Sequence, residues 1–316
     1  MRNYLVRQLL QAIPTLLAVS VVIFAIIHLA PGGPMAAYAM SPNVDQAELD
    51  RIAIRLGLND PLPVQYVKWL KSMITGDWGL SYKFGRPVFE VLRSRIMNSI
   101  QLALASLVIA GAISIPFGIF SALYRNRLVQ YLSNTVAMLG VSIPTFWLGL
   151  VILLYLSVKM RLVPTGGMMT IGKGGPWDRL HHIIAPASVL ATLYIAAWSR
   201  FVRSSMLEVI GQDYITTARG KGLAERAVIV RHALKNALLP FITLVGLQGG
   251  GLIGGAMITE VVFAWPGMGR MLAESLTNRD YPVLMAAFMM MSVLVILGNL
   301  VADILYAVVD PRIKLE

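Results

Sequence analysis

Long runs of apolar residues without a single charge dominate this chain. Six of them stand out: Leu9–Leu29, Asn98–Tyr124, Leu132–Val158, Ile183–Ser199, Leu238–Thr259 and Tyr281–Ala302. As a helix rising about 1.5 Å per residue, the first is ~32 Å long, enough for a hydrocarbon layer of about 30 Å. The fourth is the shortest at 17 residues; snorkelling of Arg200 and Arg203 toward the interface is expected to extend it. Pro31-Gly32-Gly33-Pro34 predicts that the first helix stops near Ala30. The pattern predicts an all-α integral membrane protein with six transmembrane helices.

The first run could be confused with a secretory signal, because Arg2 and Arg7 precede it and Ala37-Tyr38-Ala39 imitates a cleavage site. Its 21 residues exceed the roughly 7–15 of a signal core, so a retained span is expected.

Three connections carry patterns of their own. In 31–97, Leu49, Ile52, Ala53 and Leu56 fall at helical spacing before Gly57, and Val64, Val67, Trp69, Leu70 and Met73 mark a second amphipathic helix over 63–74. A small folded insertion between spans one and two is expected. The 159–182 connection, with Gly166, Gly167, Gly172, Gly174 and Gly175, predicts a flexible surface loop. The 200–237 connection has an apolar stripe at Leu207, Ile210, Tyr214 and Ala218, with Asp213 as a helix N-cap and Gly220 and Gly222 as stops. A second helix starting near Ala224 turns Arg226, Arg231 and Lys235 toward water or headgroups, so a helix-turn-helix along the membrane surface is expected.

Composition agrees with a membrane protein: 57% of residues are hydrophobic and only 14% charged, against roughly 25% in ordinary soluble domains. There is no cysteine, which excludes disulfides, thiolate metal sites and cysteine nucleophiles. Six spans put both termini on one side. With the N-terminus inside, the two sides carry nearly equal numbers of Lys and Arg, 13 inside and 14 outside. Eight of the outside ones lie in the long first connection, which weighs little in topology; without it the comparison is 13 to 6. N-in, C-in is the expected orientation. The net charge of +11 then follows from the positive-inside bias and anionic headgroups, with no nucleic-acid role.

Several chemical motifs fail on context. Gly249-x-Gly251-x-x-Gly254 matches a dinucleotide fingerprint but sits inside an apolar span with no strand before it. The stretch from Gly167 to Lys173 has phosphate-loop spacing, but Gly174 stands where Ser or Thr should ligate magnesium. His181-His182 is an adjacent pair whose side chains diverge on a helix. No catalytic or metal-binding residue is expected. Glu260 and Asp303 lie near span ends and the span middles carry no charge, which argues against a proton- or sodium-coupled carrier. In the fifth span Gly246, Gly250, Gly251, Gly254 and Gly255 form small-xxx-small pairs, which predict close helix packing or a pore wall.

The 200–237 connection also carries the most distinctive motif. Asp213-Tyr214-Ile215-Thr216-Thr217-Ala218-Arg219-Gly220-Lys221-Gly222-Leu223, followed by Arg231-His232-Ala233-Leu234-Lys235-Asn236-Ala237-Leu238-Leu239-Pro240, resembles the coupling loop of permease subunits of bacterial ABC importers. The resemblance is to the first permease of the dipeptide/oligopeptide/nickel group. It extends along nearly the whole chain through Gly76-Asp77-Trp78-Gly79-Leu80-Ser81, Pro266-Gly267-Met268-Gly269-Arg270, Arg279-Asp280-Tyr281-Pro282 and Asp310-Pro311-Arg312.

The resemblance implies a type I importer permease of the bacterial inner membrane. It would comprise a first helix over 1–30, an extracytoplasmic insertion over 31–97 and a five-helix core over 98–316, with its cytoplasmic coupling loop at 200–237. It implies a second, homologous permease, two cytoplasmic ATPases that carry ATP and Mg, and an extracytoplasmic substrate-binding protein; this chain would be no enzyme and bind no cofactor. Asp213, Tyr214, Thr216, Thr217, Ala218, Arg219, Lys221, Gly222 and Leu223 would form the ATPase-coupling surface. The family motif begins Glu-Ala-Ala where this chain has Thr216-Thr217-Ala218, so that glutamate's salt bridge does not carry over. Peptide is the expected cargo, with nickel complexes or oligosaccharides as alternatives, and a stand-alone secondary transporter or an intramembrane enzyme as rival functions.

Overall fold

The computed structural model describes residues 2–35, 45–55, 57–124, 135, 142–249 and 256–309. Its principal helices are α1 (Arg2–Leu29), α2 (Gln46–Arg55), α3 (Leu62–Thr75), α4 (Val88–Leu123), α5 (Thr145–Ile152), α6 (Pro176–Ile210), α7 (Asp213–Gly220), α8 (Lys235–Gly249), α9 (Met257–Val262), α10 (Met268–Thr277) and α11 (Tyr281–Val309). Two π-helical stretches, Leu153–Lys159 and Val228–Leu234, continue α5 and lead into α8.

Among the described residues four helices are long and apolar enough to cross a membrane: Val6–Leu29, Val88–Leu123, Pro176–Ile210 and Tyr281–Val301. The fourth apolar run proves to be the middle of a 35-residue helix, which at 1.5 Å per residue is ~52 Å long and needs no extension. Arg200 is exposed, but Arg203 is half-buried and its Nε donates to the Ser121 carbonyl at 3.3 Å. The third run appears as α5 and its π-helical continuation, and most of 132–141 lies outside the described residues. The fifth appears as α8 and α9, with 250–255 outside them.

The chain divides into two compact units, Met1–Ser99 with Pro266–Ile296, and Ile100–Trp265 with Leu297–Glu316. In the first, Ile23, Phe24 and Ile27 of α1, Leu92 of α4, Met268 and Met271 of α10 and Leu284 of α11 form one core. The amphipathic helix α3 docks on it through Tyr66, Trp69 and Met73. Val64 and Val67, expected on its inner face, are exposed. The face is rotated because α1 offers polar and aromatic partners: the Ser20 and Tyr66 hydroxyls share a hydrogen bond of 2.8 Å, and Phe24 meets Tyr66 edge-on at 5.4 Å. His28 stacks on Phe24 at 3.9 Å and lies 3.1 Å from Gln65 Oε1 through its Nε2, so it ties α1 to α3.

Motifs far apart in sequence meet in this unit. The Asp280 carboxylate is fully buried and accepts the Ser81 hydroxyl and the backbone N–H groups of Tyr82 (3.1 Å) and Lys83 (3.2 Å). Asn98 Nδ2 donates to the Pro266 carbonyl at 2.8 Å, and Ser99 Oγ accepts the Met268 N–H at 2.8 Å. Lys83 and Arg270 both pair with Glu274, at 3.0 and 2.9 Å. Burial works to raise the Glu274 carboxyl, but the two cations outweigh it and hold the group below its ordinary range.

In the second unit α4, α6 and α8 pack around Trp198, Val202, Met206 and Phe241, with Trp198 meeting Phe241 edge-on at 5.1 Å. Helices α4 and α6 touch at Gly118: a Cβ there would lie 2.7 Å from Val202 Cβ and 2.9 Å from the Ser199 carbonyl. Small-residue packing of the kind expected in the fifth span is thus realised on the second. Gly246 falls within α8, while Gly250, Gly251, Gly254 and Gly255 lie outside the described residues. The glycine-rich 159–182 connection is folded rather than free. Gly167 N–H donates to the Phe263 carbonyl at 2.9 Å, and a Cβ on Gly166 would sit 2.8 Å from that oxygen.

Asp280→Ala strands three donors that now converge on a buried carboxylate. Each hydrogen bond to a charged group contributes about 1.5–3 kcal/mol, so a loss of roughly 3 kcal/mol in unfolding free energy is expected, measured by thermal or denaturant melts in detergent.

Candidate functional site

The 200–237 segment is where an amphipathic short helix, a turn and a basic helix follow each other, and its local structure explains what it presents. Helix α6 ends at Ile210, and Gly211-Gln212 breaks the chain direction before α7. The break means that Leu207 and Ile210 do not continue one stripe with Tyr214 and Ala218. Leu207 and Tyr214 are exposed, and α7 instead buries Ile215 and Ala218 at an i, i+3 spacing against Val228 and Ala233 of the π-helical stretch. Asp213 is the first residue of α7 rather than its cap; Gln212 holds the cap position with extended backbone and no side-chain bond. A carboxylate in the first turn still complements the helix dipole.

The far end of α7 closes by hydrogen bonding. Gly222 N–H donates to the Arg219 carbonyl at 2.9 Å and Leu223 N–H to the Ala218 carbonyl at 3.4 Å. Gly222 has φ +76°, a left-handed conformation that a Cβ disfavours by roughly 1–2 kcal/mol. Arg219 then reaches over the turn to Glu225 with a two-pronged pair, Nη2 to Oε1 at 2.6 Å and Nε to Oε2 at 3.1 Å. At the opposite edge Asn236 Nδ2 donates to the Tyr214 hydroxyl at 3.0 Å. Ends and flank of α7 are therefore tied to the segment that follows it.

This geometry sorts the sequence-expected residues. Ala218 faces inward and shapes the unit. Asp213, Tyr214, Thr216, Thr217, Arg219, Lys221, Gly222 and Leu223 are all exposed. Arg226, Arg231 and Lys235 are exposed too, so the surface around α7 is strongly cationic. Ile215, Glu225 and Asn236 were missed as members of the site. The i, i+3 pairing of Ile215 with Ala218 was available in the sequence; the pairings of Glu225 and Asn236 depend on the turn geometry. The histidine pair is spent on structure: His181 Nε2 lies 2.7 Å from the Leu162 carbonyl and His182 Nδ1 2.8 Å from that of Asp178, with the rings 6.4 Å apart.

The hydrogen bonds from Arg219 hold the Glu225 carboxyl below its ordinary value. A depressed acid adds order that is present above its unfolded value and is lost as pH falls through the folded one. Backbone protection of 219–225, taken as the amide-exchange rate relative to the intrinsic rate at each pH, should therefore fall on acidification below about pH 4.5, the ordinary glutamate range. Glu225→Gln should show the reduced protection already at neutral pH, with no further loss of protection on acidification.

Residues 114–315 match the family described as binding-protein-dependent transport system inner membrane component, and residues 1–103 match its N-terminal counterpart. The oligopeptide transport system permease protein AppB of Bacillus subtilis is 45% identical over 316 residues, which cover 99% of this chain and 100% of that protein. A putative peptide permease of Brucella suis is 43% identical over 99% of both chains. The glutathione transport system permease protein GsiC of Escherichia coli K12 is 39% identical, again over 99% of both. Among solved structures, the inward-facing MetNI methionine ABC transporter superposes with a TM-score of 0.57 at 18% identity, over 70% of this chain and 97% of that one. It supports the helical permease fold. With its several membrane-length apolar helices, the chain belongs to the inner-membrane components of binding-protein-dependent transport systems, the permease family of ABC importers.

Proposed function

We propose that this permease forms half of the translocation pathway of an ATP-driven peptide importer and receives the force for transport through α7. Six spans, with both termini cytoplasmic, would place the 200–237 segment at the cytoplasmic surface and the 31–97 insertion outside, facing a substrate-binding protein. A second permease would complete the pathway. Two ATPases would bind ATP and Mg, and this chain would perform no catalysis and hold no cofactor. The relatives named for oligopeptides, peptides and glutathione favour peptide as the cargo class.

The observation that carries the coupling role is the contrast between the two faces of α7. Ile215 and Ala218 are buried, whereas Thr216 on α7 and Lys221 and Leu223 just beyond its end are exposed. An eight-residue helix is too short to be stable alone. Anchored through its inner face and closed by Arg219–Glu225 and Tyr214–Asn236, it can transmit a push without unwinding. For ATP to drive the cycle, the closed ATPase pair must favour one arrangement of the permeases over the other, since a partner with equal affinity for both shifts nothing. The motion expected is rigid-body rocking of helices around the pathway.

Leu223→Glu alters the exposed face and leaves the buried one intact. Burying an unpaired charge at a docking contact costs about 2–4 kcal/mol, so transport in reconstituted complexes should fall by at least tenfold while membrane insertion and thermal stability stay at wild-type values. ATP hydrolysis should become insensitive to loaded binding protein. Ala218→Trp, by contrast, should lower stability as well, because it overfills the contact with Val228 and Ala233. Undiminished transport by Leu223→Glu would remove this face from the docking surface.

A further inference from the structure

Beside the C-terminal end of α1 a cavity of about 340 Å³ opens in the first unit. Ile23, Ile26 and Ala30 of α1 and its end form one wall; Leu276, Leu284 and Phe288 of α10 and α11 form the other. Every one of these is apolar, and Ile26, Leu276 and Phe288 are substantially exposed at its mouth. The charged lining residue is Arg279. We infer that this slot binds one acyl chain of an anionic phospholipid, with Arg279 holding the phosphate of its headgroup.

The backbone at Arg279 points to a role for the side chain. Helix α10 closes with the Arg279 N–H on the Leu276 carbonyl (3.3 Å) and the Asp280 N–H on that of Ser275 (2.8 Å), a Schellman ending that puts Arg279 in the left-handed region at φ +53°. The same kind of ending after α2 and α3 is built with glycine, Gly57 at φ +68° and Gly76 at φ +85°. Glycine is the low-energy residue there, so arginine is tolerated against a local preference. Structural use of the guanidinium does not account for it. Its hydrogen bond runs from Nη1 to the Pro31 carbonyl at a marginal 3.4 Å, and no carboxylate pairs with it among the described residues. Four of its five N–H groups are thus available to an incoming anion.

Position and lining select a lipid over other anions. The slot lies against an apolar helix of membrane length at the point where Pro31 and Gly32 end it, which is where a headgroup region begins. A fixed guanidinium at that level pairs with phosphate bidentately, and the chain below it replaces lipid contacts with protein ones. A peptide would need a carboxylate for its amino terminus, and the lining, whose polar side chains are Arg279 and Tyr281, offers none.

The test uses the purified full-length chain with its partner subunits in mild detergent, titrated with phosphatidylglycerol or phosphatidylcholine and read by native mass spectrometry and thermal melting. Wild type should retain phosphatidylglycerol about tenfold more strongly than phosphatidylcholine, because both carry the phosphate but the choline cation repels Arg279 and competes with it for that group. Arg279→Gly should melt no lower than wild type without lipid, since glycine suits the backbone, yet lose the preference for phosphatidylglycerol. Ile26→Trp should fill the slot and weaken retention with Arg279 intact. Equal retention of the two lipids by wild type, or an unchanged preference in Arg279→Gly, overturns the inference. So does protection of the slot by a short peptide but not by lipid.

Discussion

The burial of Ile215 and Ala218 against Val228 and Ala233 is the contact on which the fold of the 200–237 segment turns. Helix α7 has eight residues, a polar exposed face and glycines at its end, so it has almost no stability of its own. Two apolar side chains, one large and one small, give it a foothold, and the hydrogen-bonded turn at Gly222 with the Arg219–Glu225 pair closes its far end. An exposed ion pair adds little free energy. Its contribution here is geometric: it fixes the angle between α7 and the residues that lead into α8. Because that core continues through Trp198, Val202 and Phe241 into the long apolar helices, a force applied to α7 acts on packed side chains rather than on a loose loop.

A different kind of constraint organises the unit built from α1, α3, α10 and α11. Here polar groups do the locating. Asp280 gathers the 81–83 turn, Asn98 and Ser99 fasten the start of the α10 segment, and His28 and Ser20 fix α3 on α1. Apolar packing alone would leave α3 free to slide along a greasy helix surface. Directional hydrogen bonds remove that freedom, and each lies at a residue whose replacement would leave a partner unsatisfied.

The all-helical membrane architecture was legible in the sequence because a charge-free run of twenty residues matches the thickness of a lipid core and little else. The family was legible because several short motifs agree along the chain. Faces were misjudged where tertiary partners overrode periodicity. Val64 and Val67 were expected inward, but Tyr66 turned α3 toward Ser20 and Phe24. The Leu207–Ala218 stripe ran across the break at Gly211-Gln212, so Leu207 and Tyr214 are exposed and α7 buries Ile215 together with Ala218. Glycine content suggested a loose 159–182 loop, yet Gly166 is glycine because the Phe263 carbonyl lies where a side chain would be. Glu225 could not be assigned from the motif, since its pairing with Arg219 exists only once the Gly222 turn is made.

The chain contains no cysteine, so a single one introduced for Thr216 gives an unambiguous probe of where α7 lies and what covers it. The decisive measurement is modification of this cysteine by a membrane-impermeant maleimide in oriented vesicles, with and without the ATPase subunits. Reaction from the cytoplasmic face alone, suppressed when the ATPases are assembled, is the result expected. Reaction from the outside, or labelling indifferent to the ATPases, would contradict the assignment of α7 as the element through which transport is driven.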